Sequence, residues 1–374
     1  MGGGVPMNKP YQIPELPLFF NFESISIYKQ LTLASRALAE LKGVAKTIPN
    51  ESILLNTLVL QEAKDSSEVE NIVTTQDELY QIDLDMKETL PKTAQKEVLR
   101  YRQAMHTGFD LVRKNKLLTN AVIKQIQQEL EENTAGFRAV PGTALKNNQN
   151  ETVYTPPQTK DEIEHYMSNL ERFINDSALC NLDPLLKLPI IHHQFESIHP
   201  FYDGNGRTGR IINILFLVAN DLLDLPILYL SRYINHNKSE YYKLIQKIRD
   251  AAPENEKEWE NWILFMLKGV ELTSKETVVL IQEIKKLMQD YKLRMRPLFG
   301  SKYNHELLNN LFRHPYTKIE FIMRDLEVTR QTASKYLDDL VSNGFVEKVQ
   351  IGKSNYYINH QLVNLFINQS DLHK

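Results

Sequence analysis

Apolar residues recur along most of this chain at intervals of three and four, the spacing of helices with one buried face. Leu31, Ala34, Leu38 and Leu41 predict a helix over 26–41, stopped by Gly43. Ile53, Leu54, Leu58 and Leu60 predict a second, opened by Pro49-Asn50. Val98, Leu99, Ala104, Met105, Phe109 and Val112 mark a long helix over 92–114. Val122, Ile123, Ile126 and Leu130 form the inner stripe of one capped by Thr119, and Ile163, Tyr166, Met167, Leu170 and Phe173 that of another. Thr75-x-x-Glu78 and Thr159-x-x-Glu162 are capping boxes and mark helix starts. Pro184 introduces a helix over 185–197, and 208–218 is apolar enough to be buried all round. Trp259, Trp262, Ile263 and Met266 open a last body helix that runs toward Leu293.

Two stretches leave that period. Between 138 and 154, β-type residues flank the Asn-rich turn 146–151, and Pro156-Pro157 closes the segment, which predicts a hairpin. Beyond Pro297-Leu298-Phe299-Gly300, short helices are predicted over 306–312, 318–325 and 329–343. Alternating segments 344–348 and 354–358 follow, around Gly352. Three helices and a wing are the layout of a winged helix-turn-helix, whose third helix is the type that enters the major groove. Residues 1–23 carry Pro6, Pro10, Pro14 and Pro17, which predicts extended chain lying on the body through Leu16, Leu18, Phe19 and Phe20. The chain is therefore mainly α with one small hairpin. It divides into 1–95, 96–298 and 299–374, the last a small winged-helix domain.

Composition narrows the function. The 374 residues carry 44 Lys and Arg against 47 Asp and Glu, a net charge of −3, so no global basic field favours nucleic acid or membrane. Residues 301–374 hold nine Lys/Arg and eight Asp/Glu, a net of +1, a weak footprint for DNA. Arg330, Gln331, Thr332 and Lys335 could read bases, but Asp338 and Asp339 follow on the same helix. DNA binding and protein interaction or dimerisation both stay open for this module. The single cysteine, Cys180, excludes an internal disulfide framework and suits a reducing compartment. No run of 18 apolar residues predicts a membrane span, so a cytoplasmic protein is expected.

The chemistry concentrates in His199-Pro200-Phe201-Tyr202-Asp203-Gly204-Asn205-Gly206-Arg207-Thr208-Gly209-Arg210. Asp203 can hold a metal ion. The Gly204-Asn205-Gly206 turn can point backbone N–H groups at an anion, and the following helix would turn its positive end on the same anion. Arg207 and Arg210, three apart, share a helical face and can both reach phosphate oxygens. The stretch is a phosphate cradle with a histidine at its lip. Gly204-x-Gly206-x-x-Gly209, with Asp224 twenty residues on, also spells the dinucleotide-binding fingerprint, but no strand precedes it and no βαβ unit surrounds it. A Walker A loop is excluded by the missing Gly-Lys-Ser/Thr. His192 and His193 are adjacent and face different sides of a helix, which argues against a zinc site with His199.

The stretch resembles the motif of the Fic family, His-Pro-Phe-x-Asp-Gly-Asn-Gly-Arg-x-x-Arg, at all nine defined positions. The resemblance implies a helical Fic fold and transfer of AMP from ATP to a Ser, Thr or Tyr hydroxyl of a target protein, itself included, with release of pyrophosphate. It implies His199 as general base, Asp203 as the Mg²⁺ ligand, and Gly204, Asn205 and Gly206 as the anion site. Arg207 and Arg210 would hold the β- and γ-phosphates, and Thr208 and Gly209 complete the nucleotide-binding run. The hairpin would be a flap that aligns the target's hydroxyl-bearing segment by strand pairing. Tyr242 would contact the base. Upstream, Ser66-Ser67-Glu68-Val69-Glu70-Asn71 is similar to the inhibitory Ser/Thr-x-x-x-Glu-Gly/Asn pattern of one Fic class, at Ser66, Glu70 and Asn71. There Glu70 would occupy Arg210 and keep the site quiet, although the residues alone read as a solvated polar helix end. Removal of AMP by the same site, or a winged-helix regulator using the body as a nucleotide sensor, are the alternatives.

Overall fold

The computed structural model describes residues 11–20, 22, 24–75, 78–80, 93–147, 149–251, 255–351 and 354–371. Pro6, Pro10, Lys92 and Gly352 lie outside them. Those residues form fourteen long helices: α1 (Ile25–Ala45), α2 (Glu51–Val69), α3 (Thr93–Asn115), α4 (Asn120–Glu131), α5 (Lys160–Asn175), α6 (Pro184–Ile198), α7 (Asn205–Ala219), α8 (Leu230–His236), α9 (Lys238–Asp250), α10 (Glu256–Phe299), α11 (His305–Arg313), α12 (Ile319–Leu326), α13 (Arg330–Ser342) and α14 (His360–Asp371). Two small antiparallel sheets interrupt them. The first pairs β1 (Leu145–Lys146) with β2 (Thr152–Tyr154). The second has the order β3 (Tyr316–Thr317), β5 (Ser354–Ile358), β4 (Glu347–Ile351).

The predicted capping residues do what their chemistry suggests. Asn50 and Thr119 accept from the backbone N–H of Ser52 and Val122. Thr159 and Glu162 form a complete capping box, and Thr75 and Glu78 exchange the same reciprocal pair at 3.0 and 3.2 Å. One predicted stop fails. Helix α1 runs through Gly43 to Ala45, because Leu41, Ala45 and Ile48 continue the buried stripe and outweigh glycine's cost of about 1 kcal/mol. Helix α10 carries Pro297 in its last turn and ends at Phe299. In the irregular N-terminal segment Ile13 and Leu16 are buried but Phe19 is exposed. The Asn169 amide takes both the N–H and the C=O of Leu16, each at 2.9 Å, and this fixes which side chains turn inward.

The chain packs as two units that cut across the linear boundaries. The first contains the chain up to Leu38, Gln103–Pro226 and Leu230–Thr273. At its centre lie α6 and α7, buried along almost their whole length. Neither has a polar stripe, so each must be surrounded on all sides. Helix α5 packs on α6, and α4 on α7. Trp262 of α10 is fully buried and donates to the Pro189 carbonyl at 2.8 Å.

The second unit contains Ala39–Arg102, Ile227–Tyr229 and Ser274–Lys374. Here α2 packs against α11, and Arg313 donates to the Ser52 hydroxyl at 2.8 Å. Tyr80 stacks on Tyr316 with centroids 5.5 Å apart. After α11 come β3, α12, α13, the β4–β5 hairpin and α14; β3 and α14 carried no readable sequence signal. Tyr291 of α10 donates to the Phe345 carbonyl at 2.7 Å and lies 2.9 Å from the Asn359 amide oxygen, which ties α10 to this module. No described helix is long and apolar enough to cross a membrane.

Candidate active site

The site lies where α6 ends and α7 begins. His199 is the C-cap of α6 and sits in the left-handed region, φ 49° and ψ 58°, with its N–H bonded to the Phe195 carbonyl at 2.9 Å. A non-glycine residue held there is a strained position of the kind that clusters at functional sites. His199 thus ends α6, and the short turn 200–204 leads directly into α7. Gly204, at φ 76°, is the N-cap of α7.

Helix α7 starts three residues earlier than the hydrophobic run predicts. Asn205, Gly206 and Arg207 are therefore its first turn. The expected anion site therefore falls at a helix N-terminus with one left-handed glycine before it, rather than on a separate Gly-Asn-Gly nest. First-turn N–H groups have no partner within the helix and carry its positive end, which is the physical basis of phosphate binding. The next donor, Thr208 N–H, is already bonded to the Gly204 carbonyl at 2.8 Å. The Asn205 side chain turns back into the loop: its amide oxygen accepts from Phe201 N–H and its nitrogen donates to Phe201 C=O, both at 2.9 Å. This side chain braces the loop, while its N–H stays with the helix end. Asp203 is exposed, and its Oδ1 accepts from Gly204 N–H at 2.7 Å.

Arg207 and Arg210 are both buried. Arg207 Nη2 donates to Glu131 Oε1 at 2.7 Å. A Cβ on Gly204 would run into that same carboxylate, so this glycine is needed for space as well as for its φ. Gly209 meets a similar constraint: an added Cβ would lie 2.7 Å from a Glu196 carboxylate oxygen and 3.1 Å from the Phe195 ring. Thr208 is fully buried.

A second segment, 127–140, underlies the motif contact by contact. Gln127 donates to the Asp203 carbonyl at 3.3 Å. Glu131 holds Arg207. Phe137 packs on Phe201 with centroids 5.3 Å apart. Arg138 is fully buried; its Nε donates to the His199 carbonyl at 2.8 Å, and Nη2 to the carbonyls of Pro157 and, at 3.4 Å, Ile198. Its backbone N–H donates to Pro200 C=O at 2.8 Å. Burial holds its guanidinium below the usual range. The N–H groups of Ala139 and Val140 donate to the Tyr202 hydroxyl at 2.9 and 3.2 Å. Sequence reading assigned none of these residues.

The hairpin follows directly. Its turn is held by Asn147, whose side chain accepts from Gln149 and Glu151 N–H and donates to the Glu151 carboxylate. Tyr154 anchors β2, donating to Ser197 C=O at 2.8 Å beneath the Arg249 guanidinium, 4.1 Å from its ring.

His192 and His193 are fully buried in α6. The Asn213 amide nitrogen lies 3.0 Å from His192 Nδ1, and the Tyr241 hydroxyl lies 2.7 Å from His192 Nε2. Burial, and next the nearby Arg210 charge, depress the His192 pKa to about 3. Burial depresses His193 well below its usual value too. Of the tyrosine pair, Tyr241 is the buried one, and Tyr242 is half-exposed against its edge.

In the second unit, Ser66 lies on α2 and is fully buried with Ser67, so the solvated-end reading fails for these two residues and holds only for Glu70 and Asn71, which are exposed. Glu70 is the exposed C-cap, and Asn71 at φ 62° closes the helix, with Ile72 N–H bonded to Ser67 C=O at 3.0 Å. The Gly or Asn that ends the inhibitory pattern is thus a left-handed helix cap.

Residues 28–110 match the Fic/DOC family N-terminal domain, 117–217 the Fic/DOC family, and 287–362 the C-terminal domain of SoFic-like protein adenylyltransferases. The chain is 46% identical over 54 residues to a probable protein adenylyltransferase of Aquifex aeolicus, covering 14% of this chain and 17% of that one. It is 26% identical over 88 residues to protein adenylyltransferase fic-1 of Caenorhabditis elegans, covering 23% and 16%. These matches thus span less than a fifth of either relative. In fold, the chain resembles the crystal structure of a Fic family protein from Desulfovibrio desulfuricans, with a TM-score of 0.56 at 17% identity, over 90% of this chain and 97% of that one. With its three matched domains in this order and the complete motif at the α6–α7 junction, the chain belongs to the Fic/DOC family.

Proposed function

We propose that this protein is an autoinhibited protein adenylyltransferase, which moves AMP from ATP to a Ser, Thr or Tyr hydroxyl of a target protein or of itself. The observation that carries the reading is the junction of α6 and α7: an imidazole at one helix end beside the open N-terminus of the next. The acceptor oxygen bonds to the α-phosphorus, its proton passes to His199, and the bond to the bridging oxygen breaks to release pyrophosphate. The first-turn N–H groups of α7, with Arg207 and Arg210, hold the phosphate oxygens and stabilise charge on the leaving group. Asp203, an exposed carboxylate at the edge of this turn, fits the single-carboxylate-plus-phosphate environment that Mg²⁺ takes. When bound, that ion would neutralise phosphate charge. The β1–β2 hairpin would guide the acceptor segment by strand pairing, and the half-exposed Tyr242 would contact the base.

Glu70 would be the brake, by competing with nucleotide phosphate for Arg210. The support for it is the Ser66-to-Asn71 pattern and the defined helix end that the pattern builds. The experiment is Glu70→Gly, incubated with α-labelled ATP and Mg²⁺. Labelling of target or of the enzyme should rise at least about tenfold over the parent, one charged contact's worth. An unlabelled variant and lysate would discard the reading. The C-terminal module is proposed as a winged helix-turn-helix that serves protein interaction, since Asp338 and Asp339 share α13 with Arg330 and Lys335 and an Arg330–Glu320 pair offsets one charge.

A further inference from the structure

We infer that Glu131 is a positioning residue for phosphate recognition, acting through Arg207. The inference rests on reading the start of α7 as a phosphate site. Three observations converge on this carboxylate. It is the last residue of α4 and is paired with Arg207 at 2.7 Å, the two side chains only 11% and 7% exposed. It occupies the space that a Cβ on Gly204 would take, so the motif's own N-cap glycine makes room for it. One turn earlier on the same face, Gln127 holds the Asp203 carbonyl, so the end of α4 fixes both the turn before α7 and the arginine within α7's first turn.

Physical chemistry favours a guide over a brake. A free arginine carries about 2 kcal/mol of rotamer entropy, and a charge-assisted contact removes much of it before the anion arrives. The carboxylate also sits at the N-terminal turn of α7, where negative charge is favoured. Arg207 is thereby held by a carboxylate that α4, a rigid element, places rather than a loop.

The test measures ATP and AMP affinity by calorimetry with Mg²⁺, in Glu131→Ala and Glu131→Gln built on the Glu70→Gly chain. In Glu131→Ala, ATP should bind about tenfold more weakly and AMP unchanged, because Arg207 serves the phosphates that AMP lacks. Glu131→Gln keeps an acceptor oxygen in the same place and should restore ATP affinity to within about threefold of the parent. Tighter ATP binding in both variants would make Glu131 a competitor and overturn the inference, as would equal losses for ATP and AMP. If Glu131→Ala does not fold, Glu131→Gln decides alone: an AMP loss matching its ATP loss overturns the inference. The measurement needs no turnover, so a chain that binds ATP but labels nothing would sink adenylyl transfer and leave this inference standing.

Discussion

Two segments meet at this site and divide its work. Residues 199–210 carry groups that can act on a substrate: an imidazole, a carboxylate, open N–H groups and two guanidinium ions. Residues 127–140 instead touch the motif at His199, Pro200, Phe201, Tyr202, Asp203 and Arg207, and Ile198 just before it. The first segment supplies reactivity and the second supplies shape. A strained histidine and a left-handed glycine are not conformations that a short loop keeps by itself. The supporting segment over-determines them with a buried arginine, a phenylalanine and backbone donors.

That division predicts opposite losses. Arg138→Met removes the donors to three carbonyls and leaves them buried. At about 1–3 kcal/mol per unmet group, partly offset by apolar packing, the expected cost is about 4 kcal/mol of stability. His199→Ala should abolish transfer and leave the unfolding midpoint within about 0.5 kcal/mol of the parent. Denaturant unfolding and labelling, run on both variants, check the pair. If Arg138→Met stays stable while losing activity, the support has a chemical role and the comparison fails.

How legible each half was follows from the same division. The motif was legible because a reacting group must be one particular residue type at one spacing. Helices announced themselves through the apolar stripes of α3, α4 and α5 and through Thr119 and Thr159. The support was not legible, because its contacts run to backbone carbonyls, which every residue possesses and no sequence displays. Arg138 looked like any arginine after an aromatic residue. Glu131 looked like a charged residue at a helix end, and the space it needs is written in Gly204, seventy-three positions later. The start of α7 was misplaced for a related reason: the polar residues Asn205 to Arg207 are buried by site and loop partners, not by an apolar pattern. The buried Ser66 and Ser67 hid in the same way.

Three histidines on or capping α6 sharpen the comparison by pH. His192 and His193 are held neutral by burial, whereas an unfolded chain protonates both near pH 6.5. Between that value and about 3 the unfolded state binds more protons, so stability falls as pH falls; above pH 6.5 the two contribute no slope. From pH 6 to pH 5 they should together remove about 2.5 kcal/mol, close to the full linkage slope for two sites. Replacing His193 by Gln, which keeps a donor toward the Ile245 carbonyl, should halve that slope in urea titrations at each pH. An unchanged slope would mean that His193 is not the buried neutral group described.

Tyr202 is the residue that could blur the boundary. It stands inside the motif, at the one undefined position between Phe201 and Asp203, yet its hydroxyl accepts the N–H groups of Ala139 and Val140 and so latches the start of the hairpin segment to the loop. Its ring is half-exposed, so little packing is at stake. Tyr202→Phe removes one acceptor shared by two exposed donors that water can reclaim, and stability should change by about 1 kcal/mol or less. If the latch belongs to the support, the effect on transfer falls on the acceptor: a KM for the protein substrate raised about fivefold, with kcat and the KM for ATP within about twofold, because only the guide for the acceptor is loosened. If kcat falls more than tenfold at unchanged KM, the hydroxyl acts in the transition state, and the motif's undefined position does chemistry of its own. A position that tolerates many residue types can hardly be required for bond breaking, whereas a latch between loop and hairpin can be replaced by other local contacts. The acceptor-side effect is therefore the expected one, and initial rates with the acceptor varied at saturating ATP measure it directly.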